Sequence, residues 1–133
     1  MSAGAFFLEL PWPPSSLSPN TKHGHWGGLQ RAKDRYRAAC CLATLDALRK
    51  RQVRDEPMRV RLEFRPPPDG RERDPDNLGA RMKAGLDGVA QAMRINDRQF
   101  VEVTNRMGAP AESRVLARVS VTITSDAQPA ESR

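Results

Sequence analysis

The chain has 133 residues, of which 38% are hydrophobic, and carries a formal net charge of +6. This length fits one domain with one modest core, and the basic charge favours partners that carry phosphate. The N-terminal apolar run at 5–8 is closed by Glu9 and Pro11, far short of the about 20 residues of a membrane span. We therefore expect a cytoplasmic protein with no signal peptide and no membrane partner.

The first half of the chain predicts a strand, a loop and a long helix. Residues 5–10 are a short strand, which the following prolines end. Residues 15–28 are rich in Ser, Pro, Asn and Gly and predict an extended loop. Apolar side chains then recur at three- and four-residue spacing from Leu29 to about Arg51, which predicts a helix. The adjacent Cys40 and Cys41 fall on it and are interpreted as small core residues rather than a disulfide.

The second half predicts one more helix and three strands. Residues 58–65 alternate apolar and polar, as a half-buried strand does. A helix is predicted from about Asp76, its expected cap, to Met93. Strands follow at 100–104 and 114–124, separated by a turn at 106–112, with Val115 expected on the buried side.

The order of these elements predicts an α+β fold. One domain should cover residues 1–124, as a mixed sheet with two main helices packed on it. Residues 125–133 predict a polar, disordered tail.

Basic residues concentrate in two places. On the first helix they can track DNA phosphates or simply form a solvated face, and both interpretations stay open. Arg71 and Arg73 precede the second helix and are candidates to hold a phosphate. The helical DNA-binding candidates are Arg31, Lys33, Arg35 and Arg37.

The acidic residues that carry chemistry begin at Asp74-Pro75-Asp76. On a continuous helix, Asp76, Lys83 and Asp87 fall roughly 140° to 180° around the axis from Leu78, beside the buried stripe. Carboxylates bind Mg²⁺, which can activate water and neutralise charge in phosphodiester hydrolysis. Helix capping and an ordinary i,i+4 surface pair explain the same residues, so this spacing leaves both interpretations open.

Several short segments, taken in order, resemble one family. They are Leu10-Pro11-Trp12-Pro13-Pro14-Ser15, Ser18-Pro19-Asn20, His25-Trp26, Ala32-Lys33, Tyr36-Arg37, Asp74-Pro75-Asp76-Asn77-Leu78, Lys83, Asp87-Gly88 and Asn96-Asp97. Over roughly residues 8–124 the chain resembles the RusA-type Holliday-junction resolvases, which are encoded largely by phages and prophages.

The resemblance implies a homodimer that hydrolyses DNA phosphodiesters with Mg²⁺, or with Mn²⁺ in its place, and without a nucleotide cofactor. Its expected reaction is paired symmetric nicking of a four-way junction in DNA recombination and repair. Asp74, Asp76 and Asp97 match the family's catalytic acids and metal ligands, and Lys83 matches its essential lysine. Asn77 and Asp87 fall on further motif positions that can support the site.

The chain departs from the family pattern at two points. Asn96 stands where the family usually has an acid, which makes Asp97 the expected ligand. The spacing from Asp76 to Lys83 is about one helical turn longer than in the best-known member, which changes the lysine's distance from a metal. Cutting two opposed strands calls for two sites related by a two-fold axis, and this independently favours a dimer.

Alternatives remain for the whole chain and for single residues. The chain can be a non-catalytic branched-DNA-binding protein with the same fold, or a structural dimer whose acids only cap a helix. His23 and His25 are interpreted as loop residues because Mg²⁺ does not favour imidazole. Trp12 and Trp26 either stack on unpaired bases or cover the core.

Overall fold

A four-stranded sheet with helices on one face forms the frame of this protein. The computed structural model describes residues 5–18 and 26–126, with only the backbone at Trp26. The strands are β1 (Phe6–Pro11), β2 (Met58–Arg65), β3 (Phe100–Met107) and β4 (Arg118–Ser125), and the helices are α1 (Trp26–Leu48), α2 (Pro75–Ala80) and α3 (Lys83–Met93). Single 3₁₀ turns occupy Ser15–Leu17, Asp97–Gln99 and Arg114–Leu116.

The sheet is mixed, in the order β1-β4-β2-β3. β4 runs antiparallel to both of its neighbours, whereas β2 and β3 are parallel. A parallel pair needs a crossover connection, and α2 and α3 supply it. As a result β1, β2 and β3 all end at the same edge of the sheet. The predicted α+β class and mixed sheet are confirmed, and no helix in the described part of the chain could cross a membrane.

The central strand β2 follows the predicted alternation. Its apolar side chains are almost fully buried beneath the helices, and the intervening charged ones face away from them. With Leu8 and Leu10 of β1 and the valines of β4, they form the core. The strand bounds expected from period-two alternation are confirmed here, because β4 pairs with β2 from Met58 to Arg65 and β3 pairs with it from Met58 to Phe64.

The first helix is shifted toward the N-terminus from its predicted bounds. It begins at Trp26, within the predicted loop, and ends at Leu48 instead of Arg51. Arg49 and Lys50 have φ of 51° and 67°, in the left-handed region, which ends the helix. The Arg51 side chain returns to donate hydrogen bonds of 2.9 Å to the carbonyls of Leu48 and Ala47, which the helix leaves unpaired.

The second predicted helix is broken into two. Hydrogen bonds of 3.0 Å from Arg81 N to the Leu78 carbonyl and from Met82 N to the Gly79 carbonyl tighten the chain into an i→i+3 turn. Nor is Asp76 the cap, since the Asp74 side chain accepts a 3.0 Å hydrogen bond from Asp76 N and begins α2. The expectation of one continuous helix capped by Asp76 was therefore wrong.

The last two strands also differ from their predicted bounds. β3 continues to Met107, through part of the predicted turn. β4 begins only at Arg118, because Arg114–Leu116 form a 3₁₀ turn. Val115, expected on the buried side, is 87% exposed on that turn. Ser125 belongs to β4, and the predicted tail from 127 onward lies outside the described residues.

Glycines let α3 approach α1 closely. A Cβ built on Gly88 would meet the backbone carbonyl of Arg37 in α1, and one built on Gly85 would lie 2.6 Å from the Tyr36 ring. The Tyr36 hydroxyl also donates a 2.7 Å hydrogen bond to the Pro11 carbonyl at the end of β1. These contacts fix α3 against α1 and the sheet.

We predict that Gly88→Ala destabilises the protein by about 1–3 kcal/mol, because the added methyl must displace helix backbone. Denaturant unfolding followed by circular dichroism would measure this change. Gly28→Ala is the matched control: a Cβ there meets nothing within 4 Å. It should be neutral or stabilise by up to about 1 kcal/mol. Equal free energies of unfolding for the two variants would contradict the close approach.

Candidate functional site

Lys83 lies between two carboxylates at the start of α3. Its Nζ is 3.8 Å from Asp87 Oδ1, one helical turn away, and 3.7 Å from Asp97 Oδ2. Asp97 reaches it because a tight turn follows α3, with Arg94 left-handed at φ 60° and Asp97 opening the next 3₁₀ turn. The lysine side chain is 79% exposed, so these are loose surface ion pairs that contribute little to stability.

The environment of Asp87 opposes its ionisation. Partial burial raises the pKa of its carboxyl, and the neighbouring Asp97 carboxyl raises it further. The positive charges of Lys83 and Arg37 act in the opposite direction but do not cancel the effect. Asp87 and Asp97 thus form a pair of neighbouring acids whose mutual repulsion a further positive charge would reduce.

A cavity of about 430 Å³ borders Lys83 and Asp87. Lys33 and Arg37 of α1 line it on one side, and Arg81, Lys83 and Asp87 line it on the other. Two of the four basic candidates on α1 thus share a cavity with Asp87, whereas Arg31 and Arg35 are exposed and do not line it. Arg37 also pairs with Asp34 at 2.7 Å.

The other predicted acids lie at the start of α2. Asp74 and Asp76 are joined through the capping hydrogen bond, and both are exposed, as is Asn77. Within residues 5–18 and 26–126, no ion pair or hydrogen bond joins either acid to Lys83 or Asp97. Nor do three His, Cys, Asp or Glu side chains in this part form a group suited to a metal.

The donor set nevertheless fits a hard cation. Mg²⁺ commonly takes only one or two protein carboxylates and completes its shell with water and phosphate. Asp87 and Asp97 supply that number of oxygen donors, and Lys83 already places a positive charge against both. Asn96, at the position where an acid was expected, instead accepts a 2.9 Å hydrogen bond from Arg98 N and caps the 3₁₀ turn.

A second cleft, of about 520 Å³, lies at the edge where β1, β2 and β3 end. Arg71 and Arg73, both predicted from sequence, line it together with Arg81 and Arg114, which the sequence analysis missed. A signal for Arg81 existed: on a continuous helix it lies about 60° from Leu78, a charged residue at the border of the buried stripe. Nothing comparable marked Arg114.

Of the two tryptophan and two histidine side chains, only that of Trp12 lies within the described residues. Trp12 is half-buried, with its ring 6.2 Å from that of Phe64 in an edge-on arrangement, and Arg73 stacks 5.7 Å above it. It therefore packs on the core at the border of the second cleft. His23, His25 and the side chain of Trp26 lie outside the described residues.

Comparison with known proteins gives a relative but no activity. No family model matches the chain. A protein of Xylella fastidiosa strain Temecula1, described as uncharacterized, is 37% identical over 99 residues, which cover 71% of this chain and 61% of that protein. The chain thus spans about three fifths of the length of this relative, whose description states no activity.

We predict that Asp87 titrates above the ordinary aspartate pKa of about 3.9. Carboxyl ¹³C NMR in metal-free buffer would measure it. Asp97→Asn should lower the Asp87 pKa because it removes a neighbouring acid, and Lys83→Met should raise it because it removes a cation. Asp46→Asn, on the exposed face of α1, is the control and should leave it unchanged. A fall in the pKa with Lys83→Met would contradict the geometry.

The same shift predicts how stability depends on pH. A carboxyl whose pKa is raised on folding stabilises the folded state below its unfolded pKa, and this contribution is lost as the pH rises through the folded pKa. Asp87→Asn should therefore be more stable than wild type at pH 7, and the difference should close in acid. Urea unfolding at several pH values would show whether the difference instead grows in acid, which would contradict the shift.

Proposed function

We propose that this protein is a Mg²⁺-dependent endonuclease of the RusA type that cuts branched DNA as a homodimer. The observation that carries the proposal is Lys83 lying against Asp87 and Asp97 beside a cavity lined by Lys33 and Arg37. Both the lysine and Asp97 are residues that the family resemblance selects. The fold class that the resemblance implies, α+β with a mixed sheet, is the one observed.

Each part of this arrangement suits phosphodiester hydrolysis. Mg²⁺, when bound, would supply activation of water and neutralisation of charge on the phosphate. Asp97 and Asp87 would hold it in this proposal, while the resemblance assigns Asp74 and Asp76 to the same task. The Lys83 ammonium, exposed and loosely paired, can bind a phosphate oxygen. Lys33 and Arg37 can hold the DNA strand along the cavity through its backbone, without reading bases.

A dimer follows from the substrate. A four-way junction presents two equivalent strands on opposite sides, and the described part of this domain offers one lysine-centred acidic site. Two copies related by a two-fold axis would place one site at each strand. Paired symmetric nicks are therefore the expected reaction.

A non-catalytic branched-DNA-binding protein is the second candidate. The observation that favours it is that the acids of α2 and those around α3 form no three-membered metal group in the described part of the chain. Such a protein would use the basic cavity alone and bind DNA equally well with and without a divalent cation.

We predict Mg²⁺-dependent nicking of a labelled four-way junction at paired positions. Incubation with Mg²⁺, with Mn²⁺ or with EDTA, followed by denaturing electrophoresis, would measure it, with linear duplex of matching sequence as control. Junction binding without cleavage in the presence of either metal would instead support the non-catalytic DNA-binding protein. Equal cutting of junction and duplex would contradict selectivity for branched DNA.

Carboxylate variants separate the two assignments of the metal ligands. We predict that Asp97→Asn lowers the cleavage rate at least about 100-fold, near 2.7 kcal/mol, while junction affinity stays equal or becomes tighter. Asp76→Asn should also abolish cleavage if the family assignment holds, and Asp87→Asn should do so if the α3 pair binds the metal. Asp46→Asn is the matched control. Unchanged cleavage by Asp97→Asn would contradict both assignments.

A further inference from the structure

The second cleft concentrates positive charge around one space. Four arginine side chains line it, from the loop after β2 (Arg71, Arg73), the α2–α3 turn (Arg81) and the 3₁₀ turn before β4 (Arg114). Asp69 is the acid among its lining residues. The three segments are distant in sequence and meet here because β1, β2 and β3 end at the same edge of the sheet.

The acid in this cleft is already neutralised. Both Asp69 oxygens accept hydrogen bonds from the Arg73 guanidinium, at 3.1 and 2.8 Å, and Arg71 N donates another at 3.0 Å. These interactions hold the pKa of Asp69 well below its usual range. In the described part of the chain, no side-chain ion pair or hydrogen bond is found for the guanidinium of Arg71 or of Arg114. Positive charge therefore exceeds negative charge in the cleft.

Arg81 differs from the other three because one of its side-chain nitrogens is buried without a partner. Its Nε is buried and has no hydrogen-bond partner among the described residues, and its Nη1 makes one long contact of 3.5 Å with the Pro13 carbonyl. Burial lowers the pKa of this guanidinium, and the positive charges of Arg73 and Arg71 lower it further. A partly buried guanidinium with an unpaired N–H and no counter-charge is unfavourable, and a bidentate anion would relieve it.

The walls restrict what kind of anion fits. Four of the lining residues cannot donate backbone hydrogen bonds, which leaves the guanidiniums as the charged donors of the cleft; these residues are Pro11, Pro13, Pro14 and Pro67. Guanidiniums bind phosphate through paired N–H donors without regard to base sequence. Arg81 also lines the cavity beside Lys83 and thus separates the two spaces.

We propose that this arginine cleft binds a backbone phosphate of the DNA strand, next to the phosphate held at Lys83. This inference rests on the proposed function, and it adds a positioning site that carries no carboxylate free to hold a metal. Arg81 and Arg71 would hold the phosphate, with Arg114 closing the cleft from the opposite loop. The DNA strand would then run past Arg81, from the cavity beside Lys83 into the arginine cleft.

Salt dependence of binding tests the cleft separately from cleavage. The dissociation constant of a labelled four-way junction is measured in EDTA at several salt concentrations. Removing one phosphate contact should reduce the slope of log K against log salt by about 1. We expect this for Arg81→Gln and a reduction of about 2 for the double variant Arg71→Gln/Arg114→Gln, with Arg81→Lys partly restoring the slope.

Matched controls remove the same charge elsewhere. Arg54→Gln and the double variant Arg49→Gln/Arg54→Gln change exposed arginines that precede β2, at the opposite edge of the sheet from the cleft. Their slopes should stay close to wild type. Circular dichroism checks folding, and if Arg81→Gln does not fold, the exposed pair Arg71 and Arg114 decides the outcome.

The outcomes distinguish this inference from the proposed nuclease. Reduced slopes for cleft variants but not for controls support the cleft, whether or not Mg²⁺ then gives cleavage. Equal slopes for cleft and control variants overturn the cleft and leave the nuclease standing. Wild-type protein that binds the junction without cutting it overturns the nuclease alone, whereas protein that binds no DNA overturns both.

Discussion

The candidate site depends on the close approach of α3 to α1. Gly88 lies against the backbone carbonyl of Arg37, and a side chain there would push the helices apart. Asp87 is the neighbour of that glycine, so the same contact places it beside Arg37 and partly removes it from water. Lys83, one turn earlier, is thereby turned toward the cavity that Lys33 also lines. The chemistry of the acidic pair is therefore a consequence of helix packing.

Helix α1 also contacts the break between α2 and α3, through Tyr36. The Tyr36 hydroxyl donates to the Pro11 carbonyl and lies 3.4 Å from Met82 Sδ, so it joins the end of β1 to the turn between the helices. Met82 is fully buried at that turn, and its neighbour Arg81 lines both the cavity beside Lys83 and the second cleft. In a continuous helix, Arg81 would lie within the helix and not in a turn between two helices.

Sequence patterns predicted what depends on local periodicity and missed what depends on tertiary contacts. β2 was predicted to the residue because its two faces differ along its whole length. The end of α1 was not, because Arg51 caps it from outside the helix. The α2–α3 break carries no proline, and the contact of Met82 with Tyr36 at this break joins residues far apart in the sequence. The family resemblance assigned Lys83 and Asp97 to one site without predicting their contact, whereas the i,i+4 spacing of Lys83 to Asp87 was visible in the sequence.

The two spaces handle charge in opposite ways, and this difference bears on their roles. Asp69 and Arg73 form a bidentate ion pair with hydrogen bonds of 3.1 and 2.8 Å, in which the two charges neutralise each other. Lys83 stays 3.7–3.8 Å from its two acids and is mostly exposed, so little free energy is lost when it changes partner. Under the proposed function, both kinds of pair have a use, because a nuclease must attract DNA while keeping acids available. The tight one removes an acid from the arginine cleft, and the loose one leaves Asp87 and Asp97 open to a cation.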